Sequence, residues 1–575
     1  MKCVVGAYSQ IPAGADDDEY KALTENLLVP LLKTVYESNS FKLVLYLGIH
    51  IFEWMEQNHA EINMLIKNLC KLNKLELLTG TYYDSFPGLI PSYEISLQIE
   101  KSTTYLRKMF SKKPHGIWLN YQVFNPSIVP ILDKCALDYV VISNNSHSDL
   151  KIPEDPFKMD ELGRKAIIFP LNNDFSQIVK EASVHNNSEK FYSDVKNLLS
   201  NLSSSKFNLL FFNLDYLCNC NYSSFIFPYI YDNTNSSFLL SEILEENDRL
   251  PFSYLPSGIY GNDVKSIKEY SLNARIINTP VISKHYQELN FIRDSLRSVK
   301  KNTDERKHLE NLIHKASSSL IYLPEFYNYT TVQNLAHKNI CEAEECLFNL
   351  ELLPEFLQFD QLDGREMPVY NKNYMAHINE RSGHISSYFL LNNHLDFCYN
   401  TGSGIFFDIF NSLIYQIENI DRKKADYLLI SEFHNNHTNI KIEKHYKFRQ
   451  NYIFLTLKIT NNSNKIYKNI YSISLDLSFP KEPSFQEFQE NVQSLSLIDK
   501  KNPVIFNLNS TDNYNIYTKN VVRDYSSIIG IKHFYQYTHI ELKKDMTINP
   551  DEIYECSFTL RLDKKKTGET IYDTK

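Results

Sequence analysis

Seven short, almost wholly apolar runs punctuate the N-terminal half of the chain: Cys3–Tyr8, Leu43–Leu47, Leu75–Thr81, Gly116–Val123, Tyr139–Ser143, Ala166–Leu171 and Asn208–Leu214. Strands covered on both faces read as continuous runs of this kind. Between them, Tyr20–Tyr36, Ile51–Leu72 and Tyr93–Phe110 space their apolar residues at three and four, as helices with one buried stripe do. Strand and helix in turn are the mark of βα units around a parallel sheet. The pattern predicts an α/β fold, an incomplete (β/α)7 TIM-like barrel over residues 1–280, with its chemistry where strands end and βα loops begin. Asn186–Ser205 is polar and reads as an exposed connector.

The pattern then changes twice. Lys284–Lys301, Thr303–Ser318 and Thr330–Leu350 are rich in helix formers with helical apolar spacing, so residues 281–352 predict a helical domain. Beyond it, Tyr452–Thr460, Tyr471–Phe479 and Tyr554–Leu562 are β-branched and aromatic, with Asn, Ser, Asp and Gly turns between them. Residues 353–575 therefore predict a C-terminal antiparallel β-sandwich.

Composition narrows the function classes. A chain of 575 residues with 43% hydrophobic and 22% charged residues folds, and is long enough for two or three domains. A net charge of −9 is the wrong sign for a nucleic-acid partner. Fifteen glycines include no GxxxxGK[ST] or GxGxxG phosphate loop. The apolar start after Lys2 is too short for a signal peptide, and no window is apolar for ~18 residues, so no membrane association is expected. Nine scattered cysteines fit a reducing compartment, and a cytoplasmic location is expected. No cofactor is implied.

Several stretches, in order over most of residues 1–364, resemble glycoside hydrolase family 57, the α-amylase and 4-α-glucanotransferase group. Gly116-Ile117-Trp118-Leu119-Asn120-Tyr121-Gln122-Val123-Phe124-Asn125-Pro126 is similar to the family's G-V-W-L-T-E-R-V-W-x-P strand. Phe52-Glu53-Trp54, Leu89-Ile90-Pro91, Leu97-Gln98-Ile99, Tyr254-Leu255-Pro256, Tyr322-Leu323-Pro324 and Phe359-Asp360-Gln361-Leu362-Asp363-Gly364 resemble further family segments. The resemblance implies an α-glucan or maltooligosaccharide as ligand.

The catalytic positions depart from the family. Retaining glycosidases use two carboxyl groups, one as nucleophile and one as general acid/base. The family's nucleophilic Glu aligns with Tyr121, and the following Arg with Gln122. The family's F-H-D-D-G-E stretch aligns with Phe211-Phe212-Asn213-Leu214-Asp215-Tyr216, placing Asp215 one step late. In a strand one step turns the side chain to the other face, so Asp215 serves only if the strand has already ended. The first-strand H-x-H-Q-P motif is replaced by Tyr8-Ser9-Gln10-Ile11-Pro12, and the G-x-Y-E turn by Gly80-Thr81-Tyr82-Tyr83-Asp84. The A-Y-W-H-G loop is shortened to Ala316-Ser317-Ser318-Ser319.

The expectation is a family relative that has kept the fold and lost catalysis, binding α-glucan through Tyr8, Tyr82, Tyr83, Asp84 and Trp118 on one concave site. Those aromatics could equally fill the core. Tyr121 and Asp215 are the degenerate catalytic positions. A Tyr121 nucleophile would need Asp84 or Asp215 to take its proton; an active enzyme with re-sited carboxylates and a purely structural protein are the competing readings. No metal site is expected: His434, His437 and His445 read as a solvated loop, and Cys218-x-Cys220 as two half-buried thiols. The runs Asp16–Glu19 and Glu342–Glu345 read as a helix start and an exposed helical face.

Overall fold

In the computed structural model, residues 2–564 are described except 145–151, 186–187, 202–206, 219–226, 228–229, 231–236, 247–249, 261–278, 323–329, 355–356, 358–364, 392–394, 399–403, 422–423, 436–437, 480–481 and 499–503. The Phe359–Gly364 stretch, Leu323, Pro324, Cys220 and His437 thus lie outside the described residues. The chain divides into two compact units. One is Met1–Arg275 with Ser317–Tyr327 and Ser526–Lys532; the other is Ile276–Ala316, Asn328–Tyr525 and His533–Lys575.

The first unit is built on seven strands: β1 Lys2–Tyr8, β2 Leu43–Tyr46, β3 Leu75–Leu77, β4 Gly116–Trp118, β5 Tyr139–Ser143, β6 Arg164–Leu171 and β7 Phe207–Asn213. One parallel sheet has the order β3-β2-β1-β7, and a second has β4-β5-β6 with an antiparallel edge strand, Phe157–Glu161. Main-chain bonds link the two sheets on both sides. Trp118 N donates to Thr79 O at 2.8 Å beside β4, and Asn172 N donates to Leu209 O at 2.9 Å between β6 and β7.

Side chains sort by the two-residue period of a strand. From β1, Val4 and Tyr8 join Val44, Tyr46, Trp118, Leu209 and Phe211 in one cluster; Cys3, Val5 and Ala7 join the helices in another. Gly6 and Gly116 are required by this packing. A Cβ on Gly6 would meet the Phe211 ring at 2.4 Å, and one on Gly116 would meet the Tyr139 ring at 1.9 Å.

Three local expectations are corrected. The run Gly116–Val123 is a strand only to Trp118, because a 3-10 turn at Asn120–Gln122 follows, with Tyr121 at φ 52° and Gln122 at φ 55°. The stretch Ile51–Leu72 forms two helices, Ile49–Asn58 and Ala60–Lys71, broken at His59, whose backbone is not helical (φ −144°, ψ 54°). Asn186–Ser205 is not a bare connector: Ser188–Asn201 is helical, with Phe191 and Val195 buried against the helix layer.

The second unit begins with helices Pro280–Ser295, Asp304–Ala316 and Thr330–Asn349, packed through Leu289, Ile292, Leu309, Leu312, Ile340 and Leu347. A 14-stranded antiparallel sheet from Glu366 to Lys564 follows. The sheet curls on itself. Strands far apart in its order meet where the Tyr446 hydroxyl donates to Gly383 O and the Tyr374 hydroxyl to Arg449 O, each at 2.8 Å. Its interior carries a fully buried ion pair, Lys444 with Asp408 at 3.0 Å. No disulfide joins the described cysteines. No described helix is long and apolar enough to cross a membrane.

Candidate active site

The carboxyl ends of the parallel strands gather a set of polar side chains. After β1 comes Ser9, whose hydroxyl donates to Asp215 Oδ1 at 2.6 Å; the Gln10 backbone N–H donates to Asp215 Oδ2 at 2.8 Å. β7 ends at Asn213, and a 3-10 turn, Leu214–Leu217, starts there because Asn213 Oδ1 accepts from the Asp215 N–H. Leu214 is fully buried in the helix-facing cluster with Leu210 and Phe212. Asp215 therefore points to the β1 end, and the strand has ended before it.

Asp84 lies beyond β3 in the left-handed region (φ 56°) and is buried. His50, four residues after β2, places Nδ1 3.6 Å from Asp84 Oδ2 and donates from Nε2 to Ile11 O at 2.9 Å. The Tyr46 hydroxyl donates to Asn120 Oδ1 at 2.7 Å and lies 3.4 Å from Asp84 Oδ1. Burial pushes the Asp84 carboxyl above the usual carboxylate range, while His50 and the hydrogen bonds with Asn120 and Tyr46 pull it back. A continuous polar path thus runs from Asp215 through Ser9, Gln10 and Ile11 to His50 and Asp84.

Tyr121 follows β4 in its turn, 8% exposed and edge-on to Phe86 with ring centroids 6.3 Å apart. Gln122 braces the same turn: its Oε1 accepts from the Ser143 N–H at 2.7 Å, tying β4 to β5. No residue of Leu119–Val123 can supply a carboxylate.

The four aromatics Tyr8, Tyr82, Tyr83 and Trp118 do not share one concave surface. Trp118 is 1% exposed, with Tyr8 at 4.3 Å, Tyr46 stacked at 5.8 Å and Phe211 stacked at 6.0 Å between ring centroids. Trp118 and Tyr8 fill the space among the strands and offer no open face to a sugar. Tyr82 and Tyr83 turn toward the helices instead. The Tyr82 hydroxyl donates to Glu53 at 2.6 Å, Lys101 donates to the Tyr83 hydroxyl at 2.6 Å, and the same ammonium stands 4.1 Å from the Tyr82 ring centroid. Asp84 alone of that turn faces the strand ends.

Sequence reasoning missed Ser9, Gln10, His50 and Asn120. Asn120 lies inside the family-like Trp118-Leu119-Asn120 run and His50 just before Phe52-Glu53-Trp54, so closeness to those motifs is the signal that points to both.

Parallel strands with polar groups gathered at their carboxyl ends define an α/β scaffold of the kind that places its sites at strand ends. Residues 5–207 match the model of Glycosyl hydrolase family 57, about a third of the chain. Alpha-amylase 1 of Dictyoglomus thermophilum is 24% identical over 172 residues, 29% of this chain and 25% of that protein. The 4-alpha-glucanotransferase of Thermococcus kodakarensis is 22% identical over 180 residues, 31% of this chain and 27% of that protein. The matched stretch thus spans about a quarter of the length of these relatives. The solved 4-alpha-glucanotransferase from Thermococcus litoralis has the same fold. It superposes with a TM-score of 0.76 over 98% of this chain and 99% of that one, at 16% identity.

Proposed function

We propose that this protein is a non-catalytic relative of the family 57 α-glucan enzymes that binds an α-glucan. The observation that carries the reading is Tyr121, a buried phenol in the turn where the family pattern has its nucleophilic carboxylate. Losing that group forfeits the covalent step, and general acid/base help alone is worth about 10²–10⁴-fold. The reading takes the seven parallel strands as an incomplete (β/α)7 barrel, supported by the bonds that link the two sheets on both sides. It takes the curled antiparallel sheet as a β-sandwich, keeps the division at about residues 280 and 352, and assigns sugar contacts to the strand-end groups Asp84 and Asp215. A cytoplasmic location belongs to the same reading.

One observation favours a second reading, an active α-glucan hydrolase or transferase with re-sited groups. Asp215 lies past the end of β7 and Asp84 beyond β3, with two strands of the same sheet between them, so two carboxyl groups lie beyond the strand ends. Wild type, Tyr121→Phe and Asp215→Asn are incubated with maltoheptaose, product sizes are followed, and binding is measured by calorimetry at millimolar sugar. The first reading expects heat of binding and no turnover in any variant. Turnover in wild type that disappears in Asp215→Asn promotes the second, and no binding at millimolar sugar removes the glucan from the first.

A further inference from the structure

We propose that His337, Cys341 and Asp396, in the second unit, form a site for one divalent metal ion of the zinc class, fastening the helix Thr330–Asn349 to the antiparallel sheet. His337 and Cys341 are four residues apart on that helix, so they occupy one face of successive turns. Asp396 comes from the two-residue strand Leu395–Asp396, paired with Ile385–Leu390. One ligand atom from each residue lies within 4.8 Å of the other two, and all three side chains are buried.

The donor set is the first argument. Imidazole, thiolate and carboxylate are the three ligand types that zinc takes together. Bond lengths of ~2.0 Å to nitrogen and ~2.3 Å to sulfur put the two ligand atoms of a tetrahedron ~3.6 Å apart. His337 Nδ1 and Cys341 Sγ are 3.6 Å apart. Asp396 Oδ2 stands 2.6 Å from the same Nδ1, and has to swing out by several tenths of an ångström to bind alongside it. Asp396 Oδ1 is already held by the Cys398 N–H at 3.1 Å, a support of the kind that orients metal ligands.

Charge is the second argument. A divalent ion with one thiolate, one carboxylate and a neutral imidazole makes a neutral group, the form that burial favours. Binding releases the thiol proton to solvent as the metal–sulfur bond forms, so charge and atoms balance. Glu344, one turn beyond Cys341, adds negative charge on the same helix face. Among the described residues both its carboxylate oxygens are buried without a hydrogen-bond partner, and it pairs with His377 at 3.3 Å. The adjacent group Glu288, Glu366 and His377 differs, because Lys284 Nζ stands 2.9 Å from Glu366 and 3.7 Å from Glu288. That group has its own cation in Lys284.

The test uses the full chain. Purified protein is stripped with a strong chelator, titrated with zinc and separately with cobalt(II), and analysed for metal content and absorption. About one equivalent of zinc retained through gel filtration is expected, with a melting temperature higher than that of the stripped protein. Cobalt is expected to give a near-ultraviolet thiolate-to-metal band. Cys341→Ser, which keeps the volume of the side chain, should lose that band and weaken zinc binding by at least about tenfold. Wild type that retains less than about a tenth of an equivalent overturns the proposal without reference to any variant. Zinc binding and a cobalt band unchanged in both Cys341→Ser and His337→Gln overturn it as well.

Discussion

The Ser9 hydroxyl and the Asp215 carboxylate are joined across the ends of β1 and β7 by a hydrogen bond of 2.6 Å. The two residues are 206 positions apart in the chain, and each is one or two residues past its strand. Had β7 continued, alternation would have set neighbouring residues 214 and 215 on opposite faces. The side chains do part, and it is Leu214 that turns to the core.

That division gives opposite expectations for neighbouring substitutions. Leu214→Asp puts a charge in a fully buried apolar position and should cost on the order of 3 kcal/mol or more. Asp215→Asn keeps the shape and part of the hydrogen bonding, so about 1 kcal/mol is expected. Urea unfolding of both variants checks this, and equal losses would mean that Asp215 supports the fold as much as Leu214 does.

Trp118 acts through packing. Trp118→Ala should destabilise the protein by about 3–5 kcal/mol, because Tyr8, Tyr46 and Phe211 cannot close over the space it leaves. Chemical denaturation measures the loss. A near-wild-type midpoint would show that the ring carries little of the core.

The His377 cluster predicts a stability that depends on alkaline pH. Burial opposes the charge on His377, but Glu344 and Glu366 outweigh it and raise the pKa from 6.5 to about 10. The folded state then holds a proton that the unfolded chain has lost. Its contribution is complete below pH 6.5, falls as pH rises through about 10, and amounts to a few kcal/mol. In His377→Gln the slope of unfolding free energy against pH between 7 and 10 should flatten. An unchanged slope would reject His377 as its source.

The ion pair of Lys444 and Asp408 lies wholly inside the curled sheet. Asp408→Ala leaves the ammonium unpaired and should cost about 3–5 kcal/mol, whereas Asp408→Leu with Lys444→Met should recover most of the loss. A double-mutant cycle on melting data decides this, and a double variant as unstable as the single one would contradict it.

The sequence by itself determined where most elements lie. Its apolar runs marked β1 to β7 to within a few residues, and its three- and four-residue spacing marked the helices after residue 280, because burial of one face imposes that period locally. The quoted motifs likewise carried the family resemblance. Tertiary structure alone decided which polar groups meet. Ser9 reaches Asp215, His50 reaches Asp84, and Cys341 and His337 reach Asp396, through strand pairing and packing that bring together residues 34 to 206 positions apart. It also separated what the chain places side by side: Tyr82 and Tyr83 go to the helices while Asp84, next to them, turns to the strand ends. Periodicity assigns a residue to a face of its element. The direction of a side chain in a turn depends on backbone angles such as the left-handed φ of Asp84 and Tyr121, and those are set by the groups that the rest of the fold brings against them.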